Sequence, residues 1–484
     1  MSERSLVHLL ASSLLVAVAL CATGCPSAED AGDGGFSSTG RDASARRDAG
    51  PDASEEPERP DVGTPIPDSG VTGPADTGTA VTPDGGAALV IDSFWANTQW
   101  PAYLTLASGD REAIYGQIWI AGGTDQTGAM KGLAAEIGLG PIGSDPTTWT
   151  WTPATFNEDK DNNDEFKAEL TAPSSGVHEY AFRYRVTGAV FAGKGEWLMA
   201  GTQGPTLGAG EAGKLAVRQA QGRLRVATQN LHCQHDSPQA RFDAMAARWA
   251  ASNVDVVALQ EVCEDAATGV GNSADYLARK LSTATGRTWR HQFVQTHLAN
   301  DVTPEGLGII SALPMAASAV ADLPTADFPR KALLSVFASP AGMVALVSTH
   351  LSFRQEDAAA RVAQAQKVLE LVNEWQGGAG KPAGTHALVA GDFNTTPDTA
   401  PILTFTVASP AFSDAWAALN PGAPGFSYPS SSPSIRIDYL LARGATTGGG
   451  TLEVVEVEQE FAQPFTGSAY VSDHRGFSAT LQAP

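Results

Sequence analysis

The chain has 484 residues, 43% of them hydrophobic, and it carries 53 acidic against 31 basic residues, a net charge of −22. This length allows two or three domains with buried cores, which excludes a wholly disordered chain. The acidic balance argues against a protein that holds nucleic acid through a large basic surface, although a nuclease that works through metal ions need not be basic.

The first 25 residues predict an export signal. Arg4 precedes LLASSLLVAVALCATGC, an apolar stretch that is too short for an ordinary membrane span but has the composition of a signal peptide. It ends in ATGC, which resembles a bacterial lipobox, so Cys25 is predicted to carry lipid and to anchor the protein to a membrane. Because Ala22 stands where that motif usually has Leu, plain cleavage for full secretion stays an alternative. Both versions predict export, to the cell envelope or beyond it.

Two regions of different composition follow the signal. Residues 26–86 are rich in Asp, Pro, Gly, Ser and Thr, which predicts a disordered acidic linker. Residues 88–205 contain short alternating runs such as HEYAFRYRV, separated by turn clusters, which predicts an all-β sandwich. With NNDEF before a strand and YAFRYRV near its end, this region resembles the immunoglobulin-like modules appended to secreted bacterial enzymes.

From Leu224 onward, strands alternate with helices. RLRVATQN and VDVVALQE are predicted strands, ARFDAMAARWAAS is a predicted amphipathic helix, and EDAAARVAQAQKVLELVNEW is a longer helix with an apolar face. This alternation predicts an α/β domain over residues 223–484, whose strands are partly buried on both faces.

Polar residues end most of these predicted strands. They are Asn230 in TQNLH, Glu261 in LQEV, His350 in STHL, Asp392 and Asn394 in GDFN, Asp438 in RIDYLL, and Asp473 with His474 in SDHRG. Any one of them is typical of a solvated strand end. The ordered set instead indicates one site, because open α/β sheets bind ligands where their strands end.

In this order the motifs resemble the endonuclease/exonuclease/phosphatase superfamily, which is related to pancreatic deoxyribonuclease and the bacterial sphingomyelinases. The resemblance covers residues from about 223 to 481. It implies a four-layer α/β sandwich that holds one or two divalent cations and cleaves phosphate esters. Ligand oxygens from carboxylates and amides suit Mg²⁺ or Mn²⁺ better than zinc.

The resemblance also implies the residues of the metal site. Glu261 is its principal ligand, and Asn230 and Asp473 lie near the same ion. Asp392, in the same metal site, orients the attacking water or helps to deprotonate it. Asn394 binds substrate by donating a hydrogen bond to a phosphoryl oxygen.

The remaining roles concern proton transfer and substrate charge. His474 is the expected general base, and Asp438 holds its imidazole in one tautomer and orientation. His350 stabilises the transition state or protonates the leaving group. Arg330 is a candidate for phosphate contact, against the alternative of a solvated strand edge.

Cys233 and Cys263 are the two cysteines that remain if Cys25 carries lipid. In an exported chain, two cysteines predict a disulfide more strongly than free thiols. Cys233 follows Asn230 and Cys263 follows Glu261 at short distance, so neighbouring strand ends would bring the two cysteines to one edge. Two buried free thiols are the alternative.

The sequence therefore predicts an exported, monomeric, metal-dependent phosphodiesterase, with extracellular nuclease action on nucleic acid as the preferred activity. A sphingomyelinase-like phospholipase that acts on a phospholipid headgroup is the rival, for which Phe461, Phe465 and Tyr470 give only a hint. A surface-binding protein that has lost catalysis is a second rival. The complete set of polar strand ends argues against it.

Overall fold

The computed structural model describes residues 88–483, apart from 209, 234–236, 265–270, 327, 378–380, 382–383 and 447–449. The predicted signal peptide with Cys25 and the predicted linker, 26–86, lie outside the described residues. The described residues belong to one compact unit. Among them, no helix combines the length and the apolar character that crossing a membrane requires.

The N-terminal part of the described chain is built from strands. In chain order they are β1 (Leu89–Ile91), β2 (Phe94–Trp100), β3 (Tyr103–Ala107), β4 (Arg111–Ile120), β5 (Leu133–Pro141), β6 (Thr150–Lys160), β7 (Asn163–Thr171), β8 (Gly176–Val186), β9 (Ala189–Phe191), β10 (Leu198–Ala200) and β11 (Gly213–Arg218). Nine of them form one sheet in the order β2-β4-β7-β6-β5-β8-β11-β3, with β10 paired to β8. β1 pairs in parallel with β9.

This sheet encloses its own hydrophobic core. β6 pairs with β5 over its first half and with β7 over its second half, so one long strand joins the two halves of the sheet. Tyr180, Phe182 and Tyr184 of β8 are fully buried in the core, while Arg183 and Arg185, which follow Phe182 and Tyr184, are more exposed and Ala181 packs in a separate small cluster with Trp149. The alternation read from the sequence therefore places the inward face correctly. β11 pairs with β3 and β8 although it lies past residue 205, the predicted end of this region.

The C-terminal part mixes strands and helices, with strand predominating. Its strands are β12 (Arg223–Asn230), β13 (Val256–Cys263), β14 (Arg290–Ala299), β15 (Thr303–Ser311), β16 (Met315–Leu323), β17 (Arg330–Ser339), β18 (Gly342–His350), β19 (His386–Asp392), β20 (Ser413–Asp414), β21 (Asp438–Arg443), β22 (Glu453–Gln459) and β23 (Phe477–Gln482). Its helices are α1 (Pro238–Ala251), α2 (Ser273–Thr285), α3 (Ala358–Gly377), α4 (Ala400–Thr406) and α5 (Ala415–Leu419).

These strands form two six-stranded sheets. The first has the order β14-β15-β13-β12-β23-β22, and the second has the order β16-β17-β18-β19-β21-β20. Side chains from both sheets share one hydrophobic core, which includes Val226 and Ala258 of the first sheet and Leu346 and Leu388 of the second. The apolar strands predicted from the sequence are thus buried against each other.

The opposite faces of the two sheets pack against helices. Along β19, Leu388 and Ala390 belong to the core between the sheets, while Ala387 and Val389 belong to a core shared with α3 and α4. α1 and α2 pack in the same way on the far face of the first sheet. A strand that is buried on both faces has a continuous apolar sequence, which explains the run in ALVAG.

The N-terminal sheet contacts the second sheet at the turn between β17 and β18. Oγ1 of Thr105 in β3 accepts a hydrogen bond from the Met343 N–H at 3.2 Å, and the Gln219 N–H donates to the Pro340 carbonyl at 3.0 Å. This contact lies at the start of β18, whereas the polar residue His350 ends that strand. The N-terminal sheet therefore meets the second sheet at the opposite end of β18 from the polar strand end.

The imidazole of His386 is buried at the start of β19 and is held in one neutral tautomer. Its Nδ1 accepts a hydrogen bond from the Ala445 N–H at 3.1 Å, so its Nε2, at 3.2 Å from the Ala341 carbonyl, carries the proton. Burial lowers the pKa of His386 to about 4, and the positive charge of Arg218 acts in the same direction. The folded chain therefore resists protonation of this side chain.

This depressed pKa predicts a loss of stability in weak acid. Between the usual pKa, 6.5, and about 4, the unfolded chain binds a proton at His386 and the folded chain does not. The contribution of His386 to stability is complete above pH 6.5 and falls as the pH drops, by about 2 kcal/mol between pH 7.5 and pH 5. Because the raised pKa values of Asp392 and Glu305 change stability in the opposite direction over this range, the measurement is the difference between two proteins. In urea unfolding, the stability of His386→Gln, which keeps a donor for the Ala341 carbonyl, should be about 2 kcal/mol more favourable relative to the wild type at pH 5 than at pH 7.5. An equal change with pH in both proteins would contradict the assignment.

Candidate active site

The carboxylate of Asp392 lies at the centre of the candidate site because of the strand register. β18 and β19 run in parallel with His350 opposite Asp392, and β19 runs antiparallel to β21 with Asp392 opposite Asp438. Gly391, which has a φ of +149°, permits this arrangement, since a Cβ there would lie 1.9 Å from the Thr349 carbonyl oxygen. Gly391 thus allows β18 and β19 to approach each other closely, and the next residue, Asp392, places a buried carboxylate at that point.

Glu261 lies on an irregularity of β13. The register between β13 and β15 shifts between Leu259 and Val262, and Glu261 has a left-handed backbone with a φ of +51°. Asn394, with a φ of +48°, shares this uncommon conformation. Bulges and left-handed non-glycine residues re-aim side chains at a cost in stability, and they cluster at functional sites.

A hydrogen-bond network connects the two sheets at this edge. Nδ2 of Asn230 donates to Oε1 of Glu261 at 2.9 Å and to Oδ2 of Asp392 at 3.3 Å. Oδ1 of Asn230 accepts from the His232 N–H at 3.0 Å, and Oε2 of Glu261 accepts from the Cys233 N–H at 3.3 Å. Asn230 is fully buried, so its amide holds two acidic side chains from different sheets in fixed positions.

His474 and Asp438 form a buried pair beside Asp392. Nδ1 of His474 lies 2.9 Å from Oδ2 of Asp438, and Nε2 of His474 lies 3.7 Å from Oδ2 of Asp392. The bond to Asp438 places a proton on Nδ1 and directs Nε2 towards Asp392. Within the described part of the chain, Oδ1 of Asp438 is buried without a hydrogen-bond partner. The Tyr428 ring packs against the imidazole, with ring centroids 4.8 Å apart.

His350 approaches the same carboxylate from the other side. Its Nε2 lies 3.4 Å from Oδ2 of Asp392. Asn394 donates its backbone N–H to Oδ1 of Asp392 at 2.8 Å and its side-chain amide to the Leu351 carbonyl at 3.0 Å. The imidazoles of His350 and His474 therefore both lie near Oδ2 of Asp392, while Oδ1 accepts the backbone N–H of Asn394.

Burial and neighbouring charge shift the protonation of this group. Burial raises the pKa of Asp392 to about 7; the charges of Asp438 and Glu261 add to the rise, while His474 and the Asn394 N–H oppose it. Burial by itself lowers the pKa of His474, but the charges of Asp438 and Asp392 and the hydrogen bond to Asp438 together raise it, to about 10. Negative charge thus dominates the site.

Most of the predicted site residues open onto one cavity of about 780 Å³. Its walls include Glu261, His350, Asp392, Asn394, Asp473, His474 and Arg330. Asp473 precedes β23, and its Oδ1 lies 3.2 Å from Nδ1 of His232. Asn230 and Asp438 lie behind this wall, in contact with the residues that form it. The strand ends that are far apart in the sequence are therefore brought together, and Arg330 lines the cavity as a buried cation rather than a solvated edge.

Several cavity residues were not singled out by the sequence. Glu305 on β15 faces the cavity; burial raises its pKa to about 7, with the charge of Glu261 adding to the rise and that of Arg330 opposing it. His297, Phe328 and Phe353 also line the cavity. These residues belong to no recognised motif. The signal that the sequence offers is that several of them lie close to the ends of strands.

The predicted disulfide between Cys233 and Cys263 is confirmed, with a Cα separation of 5.8 Å. The two cysteines are 30 residues apart in the sequence. Closing a loop of that length contributes about 3 to 4 kcal/mol to stability through the unfolded chain. Because the Cys233 N–H also bonds to Glu261, the disulfide fixes the loop that holds this carboxylate.

Two of the three aromatic residues that hinted at a lipid-binding loop have another role. Phe461 and Phe465 are partly buried against the core beneath α1. The rings of Phe461 and Trp249 are 5.7 Å apart in an edge-to-face arrangement. These two side chains pack inward, so they give no support to a lipid-binding loop.

Comparison with known proteins assigns the C-terminal region. The model of the Endonuclease/Exonuclease/phosphatase family matches residues 227–474, just over half of the chain. No curated protein matches. Similar solved structures include humanized D. rerio TDP2 with 14 mutations (18% identity, 54% of this chain and 98% of that chain, TM-score 0.42). A family protein from Leptotrichia buccalis is also similar, at 18% identity over 53% of this chain and 98% of that chain, with a TM-score of 0.42. The human Nocturnin catalytic domain with bound sulfate is similar at 19% identity over 55% of this chain and 95% of that chain, with a TM-score of 0.42.

Proposed function

The chain belongs to the endonuclease/exonuclease/phosphatase family, whose members hydrolyse phosphate esters, and from that premise we propose that it is a divalent-metal-dependent phosphodiesterase. The observation that carries the proposal is the convergence of His350 and His474 on Asp392, with Asn230 tying Asp392 to Glu261. This arrangement combines groups that can move protons with carboxylates that can hold a cation.

The donor set fits Mg²⁺ or Mn²⁺, as one or two ions. Glu261 and Asp473 offer carboxylate oxygens on the cavity wall, and Asp392 adds a buried carboxylate whose pKa is raised by burial and neighbouring charge. An incompletely paired oxygen of Asp438 adds negative charge behind them. All these donors are oxygens, which Mg²⁺ and Mn²⁺ prefer. The NH₂ group of Asn230 donates to both Glu261 and Asp392, so Asn230 contributes by holding these two ligands in position.

When bound, a divalent cation would neutralise charge on the phosphoryl oxygens and, by offsetting the carboxylates, lower the pKa of His474. The side chains supply the rest. Asp438 holds Nδ1 of His474, so that Nε2 accepts a proton from the attacking water, which Asp392 orients. His350 stabilises charge on the phosphoryl group or protonates the leaving oxygen. Asn394 and Arg330 bind the phosphoryl group from the cavity wall.

His474, Asp438 and Asp392 also offer ligand atoms within 4.8 Å of one another, an alternative metal site. We assign His474 and Asp438 to base action instead, because the bond between them already uses Nδ1 and one carboxylate oxygen. In this proposal Glu261 and Asp473 hold the cation and Asp392 is shared between the two groups.

The wider architecture supports an exported enzyme with an accessory module. We infer a four-layer α/β sandwich over residues 223–484, because each of the two six-stranded sheets packs on the other and on helices. Residues 88–205 form the core of the accessory region, which we propose to be immunoglobulin-like. The signal and Cys25 predict lipid anchoring or secretion, and the disulfide agrees with an oxidising compartment. We propose a monomer.

Nucleic acid is the proposed substrate, with a phospholipid headgroup as the alternative. The inward packing of Phe461 and Phe465 leaves Tyr470 as the remaining one of the three aromatic residues that hinted at the lipid. Hydrolysis by the purified protein should be measured with Mg²⁺ on DNA, RNA, sphingomyelin vesicles and bis-p-nitrophenyl phosphate. We expect cleavage of DNA or RNA. Exclusive cleavage of sphingomyelin would contradict the nuclease assignment, and no cleavage of any diester would favour a binding protein.

A further inference from the structure

Three aromatic rings stack along one wall of the cavity, and we call them the aromatic ladder. They belong to His297 at the end of β14, Phe328 before β17 and Phe353 after β18. The ring centroids of His297 and Phe328 are 4.6 Å apart with planes inclined by 10°, and those of Phe328 and Phe353 are 6.1 Å apart with planes inclined by 21°. Three segments distant in the sequence thus present nearly parallel ring planes.

The aromatic ladder is continuous with the catalytic residues. His297, Phe328 and Phe353 line the same cavity as Glu261 and His350. Phe353 lies three residues after His350, a group proposed to act on the leaving oxygen, and both line the cavity. A substrate whose phosphate is in the cavity would therefore have its adjoining group next to these rings.

The outer part of the aromatic ladder is exposed although it is apolar. Phe328 is 39% exposed and Phe353 is 50% exposed. The inner member, His297, has a side chain that is only 11% exposed and lies 3.5 Å from Glu305. Exposed aromatic side chains that adjoin each other beside a cavity are typical of ligand-binding surfaces, so the ladder is a candidate binding surface.

The chemistry around the rings selects a flat, polar aromatic ligand. The guanidinium of Arg330 lies 5.9 Å from the Phe328 ring centroid, and that of Arg354 lies 5.9 Å from the Phe353 centroid. With Glu305 on the same wall, charged groups surround the rings. An acyl chain gains little from such surroundings, whereas a nucleobase stacks on ring planes and carries its phosphate to the cations.

We infer that Phe328 and Phe353 form a stacking site for an unpaired nucleobase next to the cleaved phosphate, so that the substrate is single-stranded nucleic acid. The inference rests on the proposed phosphodiesterase function. It requires an unpaired base because bases in a duplex are stacked on each other and do not offer a free face to the protein. His297 acts as a positioning residue that supports the Phe328 ring from below.

Binding tests this inference without turnover. Anisotropy in EDTA would give Kd for a short fluorescent single-stranded oligodeoxynucleotide, for its fully abasic copy and for the blunt duplex. The wild type should bind the base-bearing single strand more tightly than the other two. Phe353→Ala should weaken that complex about 5- to 100-fold and leave the abasic complex unchanged. Phe353→Trp should retain binding, and Phe353→Leu, which keeps apolar area without a ring, should not.

Phe426 provides a matched control, because it is as exposed as Phe328, at 39%, but does not line the cavity. Phe426→Ala should leave all three Kd values unchanged. Equal wild-type affinity for the base-bearing and abasic strands, full binding by Phe353→Leu, or a Phe353→Ala defect seen only on sphingomyelin vesicles would overturn the stacking site. Failure of the wild type to hydrolyse any of DNA, RNA, sphingomyelin vesicles and bis-p-nitrophenyl phosphate with Mg²⁺ would instead contradict the proposed function, since binding and hydrolysis are measured separately.

Discussion

Glu261→Gln is expected to lower kcat/KM for a phosphodiester by about 10²- to 10⁴-fold while the protein stays folded. A cation at the reacting phosphate contributes several kcal/mol, and each 1.36 kcal/mol corresponds to a factor of ten. The change keeps the shape of the side chain and removes its charge. Because the charge of Glu261 raises the pKa values of Asp392 and Glu305, its loss relieves repulsion. The NH₂ group of Gln cannot accept one of the two hydrogen bonds that the carboxylate receives from Asn230 and Cys233, so we expect thermal stability close to that of the wild type. Activity and melting temperature measured together test this.

Metal removal should reproduce the effect of this substitution. Excess EDTA should abolish hydrolysis by the wild type, and added Mg²⁺ or Mn²⁺ should restore it. Glu264→Gln is the matched control, because Glu264 is exposed three residues further along and loses the same charge. Full activity in EDTA, or equal losses in both variants, would exclude a metal role for Glu261.

The residues of the site could be predicted from the sequence because most of them flank buried strands: Asn230, His350 and Asp392 end a strand, and Asp438 begins one. A run such as ALVAG specifies burial on both faces, so Asp392 directly after it must lie at the edge of a sheet. His350 pairs with Asp392 in a parallel register, and Asp438 pairs with it in an antiparallel register. The strand ends in the sequence therefore indicate both which residue types form the site and where in the fold these residues come together.

The remaining cavity residues could not be predicted because their positions depend on tertiary packing. Phe328 lies in the connection before β17 and Phe353 in the connection after β18. No helical or strand periodicity in the sequence relates either residue to His297. Glu305 is inside a strand and looks like a solvated side chain until β14 and β13 enclose it from both sides. The strand β11 was missed for a similar reason, since its partners β3 and β8 are distant in the sequence.

Local backbone strain at Glu261 gave no signal in the sequence either. Glu261, His232 and Asn394 adopt left-handed conformations, which asparagine and histidine adopt more readily than glutamate does. Of the three, Glu261 is the residue type that least suggests such a backbone. The conformation of Glu261 is set by the irregular pairing of β13 with β15, which is a property of the assembled sheet.

Asp438→Asn should lower kcat by about 10²- to 10⁴-fold, and so should His474→Ala, because the two side chains act as one unit. The carboxylate of Asp438 accepts the proton of Nδ1 at 2.9 Å and leaves Nε2 to act on water. An asparagine there can present its NH₂ group to Nδ1 and favour the wrong tautomer. The double variant should therefore lose little more than His474→Ala alone. The measurement is kcat at saturating diester for all four proteins, and losses that multiply would show that the two residues act separately.

Asp414→Asn is the control, since Asp414 is also a largely buried carboxylate, paired with Arg436 but outside the cavity. It should change stability without a comparable loss of kcat, and a loss as large as that of Asp438→Asn would assign the effect to general destabilisation.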